Sequence, residues 1–493
     1  MNYIGISAGY HDAAISVVDR TGNILFAGHS ERYSKKKHDK DLCEELLADA
    51  LSYCNSESLE YHYYEKPWLK ALRQLRSGEG FHWPNWQKLL GNIYNNIGKP
   101  KIHTHGHHMC HAAAGFQTSP YNDATIVIID AIGEFDTMTI WDARYDPITG
   151  KANYKKLWSM QYPNSIGLFY SAMTERVGLR PLDEEYILMG MAAYGQPEHA
   201  NKMIELLLEK HDILNFKQNL HIGVDKEFLQ DAKEIDIASS SQLIVEQMIT
   251  TVMNKAKELG SSKNLVYGGG VALNCLANRL LGDFYEYIWI IPNPGDAGNS
   301  LGAAALGFGN KLIWTNSFLG HEISGDYPVD KLLNILLTDH MVGVASGRAE
   351  FGPRALGNRS LLADPRGDDI KDKVNEIKRR QKFRPFAPVI LEEHVHDYFI
   401  MPNNWDNSRY MQVISKCICP DKFPAIVHVD GTSRVQTVPK DGSGIRKLLE
   451  KWYSVTECPM LLNTSLNIRG EPMVNDRTDA DRFEKLYGIS VLS

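Results

Sequence analysis

Five of the 18 histidines lie between positions 103 and 111, and the segment His107-His108-Met109-Cys110-His111 runs on into AAAGF. On a helix, His107 and His111 stand at i and i+4 on one face, so both rings can reach a single ion. Asp130 and Asp296, each a carboxylate in a glycine-rich loop, are available as further ligands. Two imidazoles with two carboxylates form a mixed N/O set that suits Fe(II), Mn or Zn. Spacing leaves an alternative open: a hydrogen-bonded or helix-capping histidine cluster, or a His-rich surface stretch. The remaining histidines of the run are expected at the surface or around the ligands.

A second concentration of chemistry lies farther on. Arg348, Arg354, Arg359, Arg366, Lys378 and Arg384 surround FGPRALGNRS and FRPFAP. A guanidinium binds phosphate through its planar fork, and Gly-Pro and Arg-Pro segments would preorganise it. A solvated basic face is the competing reading, but alternation with Gly, Pro and Phe suits a pocket wall better. HVDGTSRVQ adds Arg434, and LLNTSLNIRGEP adds Asn463, Ser465, Asn467 and Arg469. Each cluster directly follows an apolar, strand-like run, where sheet-end loops commonly meet ligands.

The elements that would position these groups are legible in outline. IGIS, a polar GYHD turn, AAISVVD, an RTGN turn and ILFAGHSERY read as strands. TIVIID, the acidic AIGEFD loop, TMTIWDARY and a DPITG turn repeat that plan from position 125. Such doubling matches a duplicated actin-like architecture of two α/β halves, although two unrelated hairpins would give the same local pattern. Leu42–Cys54 and Ser241–Leu259 are amphipathic helices. The second leads into the strand LVYGGG, and a helix is expected from about Ala272, a geometry that brings amides near a phosphate or ribose. A tight turn alone would also require such glycines. A further cluster, Pro294 to Gly298, opens the small-residue helix LGAAALGFG. The stretch from about 314 to 340 is weakly patterned and marks the expected boundary between a first domain, 1–325, and a second, 340–493.

Composition narrows the class. The chain has 493 residues with 43% hydrophobic and 10% aromatic content, which excludes disorder and predicts more than one domain. No apolar run is long enough to span a membrane, and the N-terminus lacks a secretory pattern, so a cytoplasmic protein is expected. The 7 cysteines form no CxxC pair and read as reduced thiols. Net charge is −7, yet Tyr61–Lys101 carries seven basic residues against Glu65 and Glu79, and Arg348–Arg384 carries eleven against six. Two basic islands in an acidic chain point to local anionic ligands rather than a nucleic-acid coat.

The ordered series GISAGYHDAAISVV, SERYSKKKHD, HHMCHAAAGF, IIDAIGEFDT, ILMGMAAYGQP, YGGGVALNCLANR, PNPGDAGNSLGAA, EFGPRALGNRSLLADPR, FRPFAPVI, HVDGTSRVQTV and LLNTSLNIRGEPMV resembles the O-carbamoyltransferases of the nodulation-factor, cephamycin and tobramycin type. The resemblance covers both expected domains in order. It implies an α/β fold class: a duplicated actin-like (ASKHA) N-terminal domain, related to the tRNA threonylcarbamoyl-transfer protein, followed by a smaller YrdC-like twisted α/β domain. It implies that the second domain makes carbamoyladenylate from carbamoyl phosphate and ATP (with Mg), and that the first passes the carbamoyl group to an acceptor hydroxyl. Matching motifs assigns His107, His111, Asp130 and Asp296 as iron(II) ligands. Arg354, Lys378, Arg384 and Arg434 become the carbamoyl-phosphate cradle, with Asn463, Ser465 and Arg469 nearby, and Gly268, Gly269, Gly270 and Asn274 line the nucleotide of the transfer site. The attacking hydroxyl must lose a proton. His11 or Asp12, in the first-strand turn, is the candidate base, since an imidazole near its ordinary pKa works at neutral pH; a turn-stabilising role is the alternative.

The acceptor is not named by the resemblance. A small-molecule alcohol or sugar is expected first. The segment 61–101 also interleaves Tyr61, Tyr63, Tyr64, Trp68, Phe81, Trp83, Trp86 and Tyr94 with its basic residues, a pattern that stacks bases and tracks a phosphate backbone. A hydroxymethylated pyrimidine, free or in DNA, is therefore the alternative acceptor, and threonylcarbamoyl-type tRNA modification is a second alternative. No membrane partner is expected; a homodimer is allowed for.

Overall fold

The structure is a computed structural model that describes residues 1–76, 80, 83–367, 369–379 and 386–493. Its first strands are β1 (Asn2–Ser7), β2 (Ala14–Asp19), β3 (Ile24–His29), β4 (Leu59–Tyr63) and β5 (Ile102–Thr104). The first three form an antiparallel meander, and β4 and β5 add in parallel beside β1, giving the order β3-β2-β1-β4-β5. Helix α1 (His107–Thr118) follows.

The plan then repeats. Strands β6 (Asp123–Gly133), β7 (Asp136–Tyr145) and β8 (Ala152–Gln161) form a second meander. After the long helix α2 (Glu234–Leu259), β9 (Asn264–Gly268) and β10 (Tyr287–Trp289) add in parallel beside β6. The order β8-β7-β6-β9-β10 thus reproduces that of the first sheet, and helix α3 (Asn299–Phe308) follows its fifth strand as α1 follows β5. The doubling expected from the strand–loop–strand pattern is a true topological duplication in a mixed α/β fold.

Helices α1 and α3 cross at the junction of the halves. Each lies on the sheet of the other half, α1 against β6 and β9 and α3 against β1 and β2, and they pack on one another. The small-residue runs AAAG and LGAAA permit this. A Cβ on Gly302 of α3 would stand 2.0 Å from the Cys110 carbonyl oxygen of α1, so only glycine fits the crossing.

A third, six-stranded sheet forms the C-terminal part. Its strands are β11 (Met341–Ala345), β12 (Arg359–Ala363), β13 (Ala387–Leu391), β14 (Gln436–Val438), β15 (Met460–Ser465) and β16 (Val491–Leu492), in the order β14-β13-β15-β12-β11-β16. Successive residues face opposite cores. Leu361 and Ala363 join Ile370, Val374 and Phe483 on one side, whereas Leu362 joins Leu336, Leu448 and Trp452 on the other. Burial on both faces explains why these strands read as continuous apolar runs.

Three local expectations change. The stretch 314–340 carries the strand Phe318–Ile323, paired with Gly347–Glu350, and the helix Val329–Asp339. After the Gly268–Gly270 run the chain makes only a 3-10 turn (Gly270–Leu273) and a one-turn helix (Cys275–Asn278), not the extended helix expected from Ala272. The α2 helix begins at Glu234, seven positions ahead of the amphipathic stretch. Among the described residues no helix is long and apolar enough to cross a membrane.

Candidate active site

The first turn of α1 puts His107 and His111 on one face, as the i,i+4 spacing requires. Asp130 comes from the C-terminal part of β6, and Asp296 from the 3-10 turn (Asp296–Gly298) that runs into α3. A helix N-terminus favours an acidic residue there. All four donor groups are buried and lie within 4.8 Å of one another. His107 Nε2 is 3.1 Å from Asp130 Oδ2 and 3.3 Å from Asp296 Oδ1; His111 Nε2 is 3.6 and 3.4 Å from the same atoms. Two metal-seeking imidazole nitrogens and two carboxylates therefore converge on one point.

This donor set fits a divalent cation. Without one, burial opposes charge on the rings, but Asp296 and Asp130 outweigh it and raise both imidazoles above their ordinary pKa. Burial likewise opposes the carboxylate charges, and the facing histidines pull both acids down. The cluster is built for compensating positive charge at its centre. Asn299, unremarked in the sequence, places its amide nitrogen 3.0 Å from His111 Nε2, and its Oδ1 is buried without a hydrogen-bond partner. The Gly270 amide donates to Asp130 Oδ1 at 3.1 Å and so orients that carboxylate. His108, expected at the surface or around the ligands, is buried, with Nδ1 2.9 Å from Thr139 Oγ1; burial and the His107 charge hold it neutral.

His11 reaches the cluster from the β1–β2 turn. Its Nε2 is 3.3 Å from Asp296 Oδ2, and its Nδ1 is 2.8 Å from Asp12 Oδ2. Its pKa departs from the near-ordinary value expected. Burial lowers it, but Asp296 and Asp12 more than offset burial and raise it to about 9. Beside His107 and Asp296 opens a small cleft lined by Tyr10, Tyr64, Glu65, Lys70, Arg73 and Glu134. Lys70 Nζ lies 3.0 Å from Glu65 Oε1 and 4.5 Å from the centre of the Tyr10 ring.

The residues expected around the nucleotide also have structural roles. Gly269 has φ +88°, and a Cβ there would meet the Ile129 carbonyl oxygen at 2.2 Å, so this glycine serves the close packing of β6 and β9. Asn274 caps the turn at Ala277 (3.1 Å) and exchanges hydrogen bonds with Gln242 (3.0 and 3.2 Å). Gly268 is the last residue of β9 and is buried.

In the C-terminal part, the arginine island divides. Arg348 donates to the carbonyls of Leu25 and Gly320, Arg359 is wholly buried and donates to those of Ser346, Gly347, Asn358, His321 and Asn475, and Arg366 pairs with Asp364. These three bind the fold together and do not wall a pocket, contrary to expectation. Arg354 stands beside Arg434. Burial and that neighbouring charge hold Arg354 below the ordinary guanidinium range, and Arg434 Nε is buried without a hydrogen-bond partner. Asn463, on β15, donates to the Ala355 carbonyl (3.0 Å) and Gln436 Oε1 (2.7 Å). Two residues along the same strand, the Ser465 carbonyl receives Lys378 Nζ at 2.6 Å, and Asn467 Oδ1 is a further partner of that amine. Arg469 is exposed on the following turn, and no hydrogen bond or ion pair among the described residues joins it to this group. Arg384 lies outside the described residues.

A family model described as the carbamoyltransferase N-terminus matches residues 59–305, and one described as the carbamoyltransferase C-terminus matches 333–493. The chain belongs to the carbamoyltransferase family. This carbamoyltransferase is 31% identical to an uncharacterized protein of Synechocystis sp., over 97% of this chain and 93% of that one. It is 29% identical to the nodulation protein NolNO of Sinorhizobium fredii, over 95% and 76%. Among solved structures, T. kodakarensis HypF matches with a TM-score of 0.34 and 14% identity, covering 62% of this chain and 47% of that one.

The segment 61–101 is reorganised by folding. Tyr61, Tyr63 and Tyr64 are buried in the first core, with Trp86 and Tyr94 packed against it, and Phe81 lies outside the described residues. The stacking surface read from eight aromatics reduces to Trp68 and Trp83, which are 51% and 73% exposed.

Proposed function

We propose that this enzyme is an ATP-dependent O-carbamoyltransferase working in two steps. In the C-terminal part, read as a YrdC-like domain, carbamoyl phosphate, ATP and one water give carbamoyladenylate, phosphate and pyrophosphate. In the actin-like part, the acceptor hydroxyl attacks the carbamoyl carbon, its proton departs, and the bond to AMP breaks. The observation that carries this reading is the pairing of two unlike sites in one chain: a buried two-histidine, two-carboxylate cluster and a facing pair of arginines, Arg354 and Arg434, whose mutual repulsion an anion would relieve.

His107, His111, Asp130 and Asp296 would hold a divalent ion, with iron(II) suggested by the family resemblance and Mn or Zn compatible with the same donors. When bound, it would supply Lewis-acid polarisation of the carbamoyl or phosphate oxygen. The chain's own residues do the rest. The carboxylates and rings hold the reacting end in a water-poor pocket, and His11 Nε2, directed at the same point, takes up the acceptor proton in its neutral form, which a cation held against Asp296 would favour. Arg354 and Arg434, with Lys378, Asn463 and Ser465 along β15, receive the phosphate-bearing substrate. Carbamoyl-phosphate-dependent ATP–pyrophosphate exchange tests the first step. Mass spectrometry for carbamoylated product across candidate alcohols tests the second, and absence of exchange in the metal-loaded enzyme overturns the adenylate reading.

A small alcohol or sugar is the first acceptor class; the cleft beside His107 has room for a water-sized group, so the reacting hydroxyl alone would enter it, against Glu65, Glu134, Lys70 and the Tyr10 ring. One observation favours a second reading, the hydroxymethyl group of a modified pyrimidine in DNA or as nucleotide. Trp68 and Trp83 are exposed close in sequence to exposed Arg76, Lys88, Lys99 and Lys101, and no exposed acid occurs among the described residues of 61–101. Including hydroxymethylcytosine DNA among the acceptors decides between them.

A further inference from the structure

We propose that His38 is a positioning residue of the transfer site: it fixes Asp12, and through Asp12 the ring of His11, against the Asp296 side of the metal cluster. This inference rests on the reading of that cluster as the transfer site. The decisive geometry is an alternating chain of imidazoles and carboxylates. Asp12 splits its two oxygens between two histidines, with Oδ2 2.8 Å from His11 Nδ1 and Oδ1 2.8 Å from His38 Nδ1. His38 Nε2 in turn lies 3.3 Å from Asp183 Oδ1. Asp12 belongs to the first half of the duplicated fold, and Asp183 lies beyond β8 in the second. His38 therefore bridges the halves on one side of the cleft, as Asp296 and the α1 histidines do at its floor.

The backbone supports a fixed arrangement. Asp12 and His38 are both non-glycine residues in the left-handed region, at φ 53° and 54°. Strain of this kind persists only where surrounding contacts over-determine it, and it concentrates at functional sites. Here the contacts are explicit. The Gly9 amide donates to the Lys40 carbonyl and the Ala13 amide to that of Asp39, each at 2.7 Å, so the 35–41 loop is stapled along the β1–β2 turn. The His38 amide donates to Glu31 Oε2 at 3.0 Å. Lys37 and Arg180 flank Asp183 at 3.7 and 2.7 Å.

What this arrangement does follows from hydrogen-bond geometry. A carboxylate held at both oxygens cannot rotate, so Asp12 presents Oδ2 to His11 in one orientation. The His11 ring is then fixed by its Nδ1, which leaves Nε2 directed at Asp296 and the reacting end. Released from His38, Asp12 can turn, and His11 loses the carboxylate that orients its Nδ1. Partners of this sort commonly govern activity without touching substrate.

Two substitutions separate the arms of the bridge. Asparagine tolerates the left-handed backbone and sets its amide near the Nδ1 position, so His38→Asn keeps the bond to Asp12 and loses Asp183. Glutamine reaches the Nε2 position, so His38→Gln keeps Asp183 and loses Asp12. In the metal-loaded full chain, His38→Gln is expected to lower kcat for carbamoyl transfer about 10- to 100-fold, with acceptor KM, bound metal and ATP–pyrophosphate exchange as in the wild type. His38→Asn is expected to recover most of that loss. Ring nitrogen-15 resonances of His11, assigned with His11→Gln in the zinc-loaded protein, should move in His38→Gln and stay in place in His38→Asn. Unmoved resonances in His38→Gln overturn the proposal, as does equal loss of transfer, exchange and metal in both variants. If the wild type shows neither exchange nor transfer, the reading of the reaction fails, and the resonance comparison still decides the positioning role.

Discussion

The Nε2 atoms of His107 and His111 stand 3.2 Å apart, one helical turn from each other, with Asp130 and Asp296 against both. Two imidazole nitrogens aimed at one point repel as protonated rings and suit a shared cation. Alanine at either position is therefore expected to abolish stoichiometric divalent metal, measured by elemental analysis. Because an ion that binds only the folded chain stabilises it by mass action, chelation should lower the wild-type Tm. Neither His107→Ala nor His111→Ala should show that chelator effect. Retention of bound metal in both variants sinks the ligand assignment.

Arg354 and Arg434 make the opposite arrangement, two like charges brought together under partial burial. Such a pair costs stability in the free enzyme, and an anion relieves it. Arg434→Met should abolish carbamoyl-phosphate-dependent exchange while leaving the Tm equal to or above that of the wild type. Added phosphate should raise the wild-type Tm and leave the variant unmoved. A variant that melts well below the wild type and still responds to phosphate contradicts this role.

Both sites were partly legible in the sequence, for different reasons. The i,i+4 spacing of His107 and His111 is local, so helix geometry alone predicts their convergence. Asp130 and Asp296 are far apart in the chain; their glycine-rich loops made them candidates, and the family resemblance assigned them as ligands. The duplicated topology showed itself because each meander repeats the same strand–polar loop–strand signal; its parallel strands β4, β5, β9 and β10 left weaker traces. Arginine chemistry was over-read. Arg348, Arg359 and Arg366 resemble Arg354 in sequence, but only tertiary packing decides which guanidinium meets backbone carbonyls or an acid and which faces another cation. Asn299 and His38 escaped because a single Asn at a helix start, or a single His after a lysine run, carries no periodic signal.

The helix crossing that supports the His107–His111–Asp130–Asp296 cluster admits no side chain at Gly302, where a Cβ would stand 2.0 Å from the Cys110 carbonyl oxygen. Gly302→Ala must separate α1, which carries both histidines, from α3, whose N-terminal turn carries Asp296. Overpacking of this kind costs about 1–3 kcal/mol. The expected result is a lower Tm together with weaker metal binding, whereas Gly190→Ala, in the helix Glu185–Met191 where nothing lies within 4 Å of the added Cβ, reports the helical backbone effect alone. Equal metal affinity in Gly302→Ala and the wild type counts against the crossing as the element that sets the cluster.

Acid should weaken the fold through histidines other than His107 and His111. His62 is held neutral by burial and by the neighbouring His105 and His103, with its pKa lowered to about 3. His29 is lowered to about 3 by burial and by Arg32. In the unfolded chain both rings titrate near the ordinary value of about 6.5. Between those limits the unfolded state binds protons that the native state refuses, so stability falls as pH falls from about 6.5 toward 3 and is unaffected by these rings above that range. Each ring contributes a slope of about 1.4 kcal/mol per pH unit once its unfolded form is protonated. Thermal melts from pH 7.5 to 5 should show the decline. Replacing His62 by glutamine, which cannot take up a proton in either state, should flatten it. A wild-type melting profile that is level across this interval, or an unchanged slope in His62→Gln, contradicts the assignment of the neutral form.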